Sequence, residues 1–244
     1  MNREFLRQPH PHRVLKEGEF NKVYYKFNDY GFRCDNFTDC LKYKFRLLFV
    51  GGSNTEGMGL NVHECWAKLF HDMVCEKLNY QMPYWNIAVA ASGTDHIARF
   101  LYSVGDLIQP NIIISWLPPI ERRERFDSDF YLPGHDTDEK NNVRAFIDDR
   151  FIQYQTEKNF AFINLMLEKW NSTFIYRASH SCDYDRLDFG FRNMINIRDI
   201  PDINIENDLA YDERHPGVKT NQIFSKLMFE YCWPIIEKKF IEIT

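Results

Sequence analysis

Apolar residues arrive along this chain in two rhythms. After Arg46, Leu47-Leu48-Phe49-Val50 is a continuous apolar run closing on Gly51 and Gly52, which reads as a buried strand ending in a tight turn. Asn61 followed by Glu64 has the form of a helix N-cap with its capping-box partner. The segment after it carries Trp66, Leu69, Phe70, Met73, Val74 and Leu78 on one helical face. Residues 83–89 predict a second strand. Thr94 or Asp95 then caps a helix through Ile97, Leu101, Val104, Leu107 and Ile108. Pro110 punctuates, and residues 111–116 predict a third strand. Residues 142–170 have helical periodicity, residues 172–178 predict a fourth strand, and residues 218–239 predict a helix kinked at Pro234. Residues 179–211 are irregular and rich in aspartate. The alternation of strand and helix argues for an α/β fold, a mostly parallel sheet with helices on both faces.

Two short runs carry candidate chemistry. Ser53 lies between the first strand and its helix, outside the carboxyl end of the strand, where open α/β sheets place their ligands. Far downstream, Asp212-Glu213-Arg214-His215-Pro216-Gly217 puts a carboxylate three residues before an imidazole on one loop. An aspartate at that spacing reaches the inner ring nitrogen, fixes the tautomer and stabilises the imidazolium during proton transfer. Taken alone, Ser53 also reads as a turn serine bonded to backbone, and Asp212 with His215 as a capping loop. Together they supply the nucleophile, base and orienting acid of an acyl hydrolase. No Lys-Ser/Thr pair closes the glycine-rich stretch, so a phosphate-binding loop is excluded.

These runs, in this order, resemble the SGNH hydrolases, also called GDSL-like esterases and lipases. Asn28-Asp29-Tyr30-Gly31-Phe32-Arg33 resembles the family's Asn-x-x-Gly-Phe-Arg lead-in. Gly51-Gly52-Ser53 stands where the family has Gly-Asp-Ser, residues 86–94 resemble the second block, and Asp212-x-x-His215-Pro216 matches the last. The resemblance implies a flavodoxin-like three-layer α/β/α sandwich and a serine esterase. Ser53 would be the nucleophile, His215 the base and Asp212 its orienting partner. The backbone N–H groups of Ser53 and Gly93 would form an oxyanion hole. It implies no cofactor and no metal.

Three departures stand out. Gly52 replaces the usual aspartate of the nucleophile block. The third block, which usually ends its strand on Gly-x-Asn-Asp and donates the asparagine amide to the oxyanion, reads Leu117-Pro118-Pro119-Ile120-Glu121-Arg122-Arg123 here. Arg122 or Arg123 would suit as the substitute donor, a guanidinium being well matched to an oxyanion; the alternative is that both are solvated or paired with Glu121 and Glu124. The third departure is Cys34-Asp35-Asn36 after the lead-in, which offers no evident chemistry. The substrate implied is a small acyl ester, with O-acetyl on carbohydrate the first candidate. The rival readings are a non-catalytic glycan-binding or structural module on the same fold, such as a viral particle component, and an acyltransferase.

Composition narrows the picture. The 244 residues suit one sizeable α/β core, divided as an N-terminal lead over 1–44 and the hydrolase-like domain over 45–244. Lys+Arg number 30 against 35 Asp+Glu, a net charge of −5, which does not suggest a nucleic-acid partner. No apolar run is long enough to span a membrane, and the N-terminus lacks a signal-peptide stretch, which with six cysteines on no metal-ligand spacing points to free thiols in a reducing cytoplasm. Cys34 and Cys40 are the one pair placed to bridge in an oxidising setting. His10 and His12 lack a third ligand at useful spacing, His96 reads as a helix-start residue, and Asp183, Asp185 and Asp188 lack the glycine and closing glutamate of a calcium loop. Residues 121–150, dense in charge, predict an exposed insertion beside the third strand that sets substrate choice.

Overall fold

A computed structural model of the chain describes residues 18–20, 22–120, 122, 149–178, 190–201, 203 and 205–244. The predicted insertion at 121–150, the paired histidines at 10 and 12, the aspartates at 183–188, Cys182 and Arg123 therefore lie largely or wholly outside the described residues.

The elements run β1 (Gly18–Phe20), β2 (Val23–Tyr25), β3 (Leu47–Gly51), α1 (Ser53–Glu56), α2 (Trp66–Leu78), β4 (Trp85–Asn86), α3 (Thr94–Ile108), β5 (Ile112–Leu117), α4 (Asp149–Trp170), β6 (Thr173–Ala178), β7 (Met194–Asn196) and α5 (Val218–Ile243). β1 and β2 form a small antiparallel hairpin, and the other strands make one five-stranded sheet in the order β4-β3-β5-β6-β7. Every pairing in that sheet is parallel.

The continuous apolar run of β3 is explained by its two covered faces. Leu48 and Val50 point into a core with Ile97, Leu101 and Val104 of α3 and Phe160, Ile163 and Leu167 of α4. Leu47 and Phe49 point into a second core with Trp66, Phe70 and Val74 of α2 and Phe224, Met228 and Cys232 of α5. β5 divides in the same way, Ile113 facing the first core and Ile112 and Ile114 the second. The result is a flavodoxin-like α/β/α sandwich.

Several expected boundaries shift. The Asn61–Glu64 capping box exists, Glu64 accepting from the Asn61 N–H at 2.9 Å, but it closes a 3₁₀ turn at Val62–Glu64, and α2 begins only at Trp66. The strand expected over residues 83–89 pairs as a ladder only at Trp85 and Asn86; Ile87 and Val89 add single bonds to the Phe49 and Gly51 carbonyls. The stretch expected to be irregular over residues 179–211 contains β7, paired with β6 from Phe174 to Tyr176. The last helix continues to Ile243, with Pro234 inside it.

The N-terminal residues knit into these layers. Phe32 and Phe37 belong to the first core, and Phe45 to the second. Asp35 accepts from the Tyr84 N–H at 2.9 Å and the Asn36 carbonyl from the Trp85 indole, so the stretch that offered no chemistry stitches the lead to the strand beside β3. Among the described residues the cysteines are free, Cys34 and Cys40 included, and no helix is long and apolar enough to cross a membrane.

Candidate active site

The sheet order fixes where a ligand crevice opens. From β3 the chain crosses first to β4 on one side and then to β5 on the other, so β3 and β5 bound the topological switch point. A cleft of about 310 Å³ lies there, lined by Gly52, Ser53 and Asn54 after β3, by residues 116–119 at the end of β5, by Arg122, and by Arg214, His215 and Pro216.

Ser53 is the first residue of α1, and its neighbours lock the turn. Thr55 and Glu56 donate their N–H groups to the Gly52 carbonyl. The Thr55 hydroxyl bonds the Trp116 carbonyl at 3.4 Å, tying α1 to the end of β5. Asn86 donates to the Thr55 carbonyl at 2.7 Å, and the buried Glu56 carboxylate accepts from the Ala90 N–H at 2.5 Å. With Gly52 where an aspartate was expected, Glu56 is the acid that joins the Ser53 turn to the stretch at residues 86–94.

The loop carrying His215 is built by its own aspartate. The Asp212 Oδ1 accepts from the backbone N–H of Arg214 and of His215, each at 3.1 Å. That closes an Asx turn and leaves Oδ2 for the ring. His215 Nδ1 meets it at 2.6 Å. The three-residue spacing works because the backbone turn and the ring contact use different oxygens of one carboxylate. Burial would raise the Asp212 pKa, but the His215 ring and the two backbone N–H groups outweigh it and hold the carboxyl below its usual value. With Nδ1 committed, Nε2 is the ring nitrogen left for proton transfer.

The loop is anchored from outside as well. Ala210 donates to the His215 carbonyl at 2.9 Å, and Asp208 accepts from the Thr220 N–H and hydroxyl at 2.6 and 2.7 Å, fixing the start of α5. The buried Asn221 accepts from the Trp66 N–H at 3.0 Å and donates to the Pro216 carbonyl, linking the starts of α2 and α5.

The lead reaches this site through Gly59. The buried Arg33 donates to the carbonyls of Gly57 and Leu60, both at 2.6 Å. Tyr25 accepts from the Gly59 N–H at 2.9 Å, and the Gly59 carbonyl accepts from Tyr211 at 2.9 Å. The Gly59 α-carbon packs so closely on Asp212 that a Cβ there would lie 2.6 Å from the carboxylate.

The expected oxyanion donors differ in their placement. Ser53 stands in the first turn of α1, where backbone N–H groups have no partner within the helix. Gly93 N–H is engaged, donating at 3.2 Å to Nδ1 of His96, the third residue of α3 turning back on its own N-terminus. Any Cβ at Gly93 would strike the Arg122 carbonyl, so the chain after β5 lies directly on the second block. That approach, with the Arg122 N–H bonded to the Pro119 carbonyl at 3.2 Å, positions the arginine. Its Nη1 lies 3.5 Å from where a Cβ on Gly52 would sit, beside Ser53. Arg214 is a further cleft residue that motif reasoning passed over, because its place depends on the turn of the loop and not on any spacing.

No protein-family model matches the sequence, and no curated protein matches it. Solved structures do. TesA superposes with a TM-score of 0.54 at 12% identity, covering 80% of this chain and 99% of TesA. The family 3 carbohydrate esterase of Clostridium thermocellum gives 0.54 at 13% identity over 80% of this chain and 98% of its own. The chain shares the three-layer α/β/α fold of these proteins. The psychrotrophic esterase EstA from Pseudoalteromonas sp., in a structure inhibited by monoethylphosphonate, shares it at a TM-score of 0.53 and 12% identity, covering 81% of this chain and 98% of EstA. At such identities the likeness defines the architecture, and the chemistry rests on the residues themselves.

Proposed function

We propose that this protein is a serine esterase acting on small acyl esters. The observation that carries the reading is the 2.6 Å Asp212–His215 pair, whose imidazole residue lines the same cleft as Ser53. His215 takes the Ser53 proton as the hydroxyl attacks the ester carbonyl, then returns it to the leaving alcohol. Asp212, held ionised, orients the ring and stabilises its cationic form. Water, activated by the same imidazole, releases the acyl group and regenerates Ser53.

The tetrahedral oxyanion would be held by the Ser53 N–H and the Arg122 guanidinium, in place of the asparagine that the third block lacks. Arg123 lies outside the described residues, and Gly93 keeps its N–H on His96. Trp116, stacked on Phe224 at 4.0 Å, gives the cleft an aromatic wall. Such a surface suits a sugar ring, and EstA and the Clostridium thermocellum carbohydrate esterase share the fold. We therefore take O-acetyl on carbohydrate as the substrate class. The test is turnover of an aryl acetate by Ser53→Ala: a folded variant should lose hydrolysis, and wild-type-like rates from it would contradict the reading. A wild-type protein that binds acetylated glycan without turnover would instead be a non-catalytic module, and one that passes the acyl group to a sugar hydroxyl would be a transferase.

A further inference from the structure

The described lining of the cleft is basic on an acidic protein. It contains two arginines, Arg122 and Arg214, and no carboxylate, Asp212 lying behind His215, whereas the whole chain carries a net charge of −5. Arg214 is exposed, and among the described residues no carboxylate pairs with its guanidinium; only its backbone N–H is bonded, to Asp212. A cation left unpaired at the rim of a concave site focuses the local field on an approaching anion. Its side of the cleft follows from the chemistry. In the esterase reading His215 delivers the proton to the leaving alcohol, so the residue next to it flanks the alcohol half of the ester. Arg122, beside Gly52, serves the carbonyl half.

Resting on that reading, we infer that the alcohol carrying the acyl group bears an oxyanionic substituent, as in an acidic sugar, and that Arg214 binds it. A guanidinium forks two parallel N–H donors onto carboxylate, and the pairing is charge-assisted. The substrate's charge thus selects the orientation in which the ester carbonyl faces Ser53.

The test compares 4-acetoxybenzoate with 4-acetoxybenzamide, which share acyl group and shape and differ in the charge of the alcohol. Rates are normalised to each ester's hydroxide-catalysed rate. Wild-type protein should favour the anionic ester by about tenfold in kcat/KM, the size of one charge-assisted hydrogen bond. The preference should shrink in 1 M salt, where the screening length falls to about 3 Å. In Arg214→Gln it should collapse toward one. A wild-type ratio near one, or a ratio that Arg214→Gln leaves intact, overturns the inference. Calorimetric titration of both esters into Ser53→Ala separates this from failure of the esterase reading. Tighter binding of 4-acetoxybenzoate, with no turnover by wild type, would support the anion site and refute the esterase. Equal binding would refute the anion site whatever the turnover.

Discussion

Gly59→Ala is the sharpest perturbation of the site that substitutes none of the proposed catalytic residues. Gly59 has φ +75°, and an added Cβ would lie 2.6 Å from the Asp212 carboxylate and 2.8 Å from Ala210. The glycine cannot retreat cheaply, because its N–H is held by Tyr25 and its carbonyl by Tyr211, each at 2.9 Å. Ordinary contact begins at 3.4 Å, so the difference from 2.6 Å, about 0.8 Å, falls mainly on Asp212. A misplacement of about 1 Å in a reacting constellation costs on the order of 10²-fold in rate. Left-handed backbone adds about 1–2 kcal/mol of destabilisation for a residue with a Cβ. The expected outcome is a folded protein with kcat reduced about 10²-fold and KM little changed, since the perturbation spares the substrate-contacting surface. Gly190→Ala separates the two effects: Gly190 also has positive φ, +59°, but among the described residues nothing lies within 4 Å of its added Cβ, so it should lose stability without losing rate. Steady-state kinetics on an aryl acetate and urea unfolding of both variants decide the matter. A folded Gly59→Ala protein with wild-type kcat would refute the role given to Asp212.

His215→Ala should remove about 10⁴-fold or more of kcat and Asp212→Ala less, because removing the base costs more than removing the group that orients it; equal losses, or a larger one at Asp212, would contradict the division of labour. Wild-type kcat/KM should fall as the medium is acidified, since only neutral imidazole accepts the Ser53 proton, and an activity rising into acid would exclude a histidine base. The depressed Asp212 carboxyl adds its own pH dependence: its contribution to stability is complete above the unfolded aspartate value and is lost as the pH falls through the lower folded one, so Asp212→Asn should flatten the acid arm of urea stability. Arg122→Ala should cost about 3–4 kcal/mol of transition-state stabilisation, read as kcat/KM on a short-chain aryl ester, and an unchanged value would leave the oxyanion to backbone N–H groups or another residue.

What could be read from the sequence was what local spacing determines. The run at Leu47–Val50 announced a strand buried on both faces, and Asp212-x-x-His215 announced a carboxylate able to reach its own ring, because turn and ring contact follow from three residues of chain. β7 gave no such signal. Its three residues are half-buried at the sheet edge, and pairing with Phe174–Tyr176 makes it a strand where periodicity does not. Arg33 was marked by the lead-in motif, but its role rests on the Gly57 and Leu60 carbonyls more than twenty residues away. Gly59 and Arg214 depend on how two distant loops meet, and the Gly93 N–H bonds His96, a residue read only as a helix start.

Ser53 as nucleophile is the claim on which the rest depends. An activated fluorophosphonate forms a covalent bond to a serine hydroxyl made nucleophilic by a neighbouring base. Incubated with the wild-type protein and followed by peptide mapping, it should label Ser53 alone, with labelling abolished in Ser53→Ala and strongly slowed in His215→Ala. A wild-type protein left unlabelled, or labelled at another serine, would contradict the assignment.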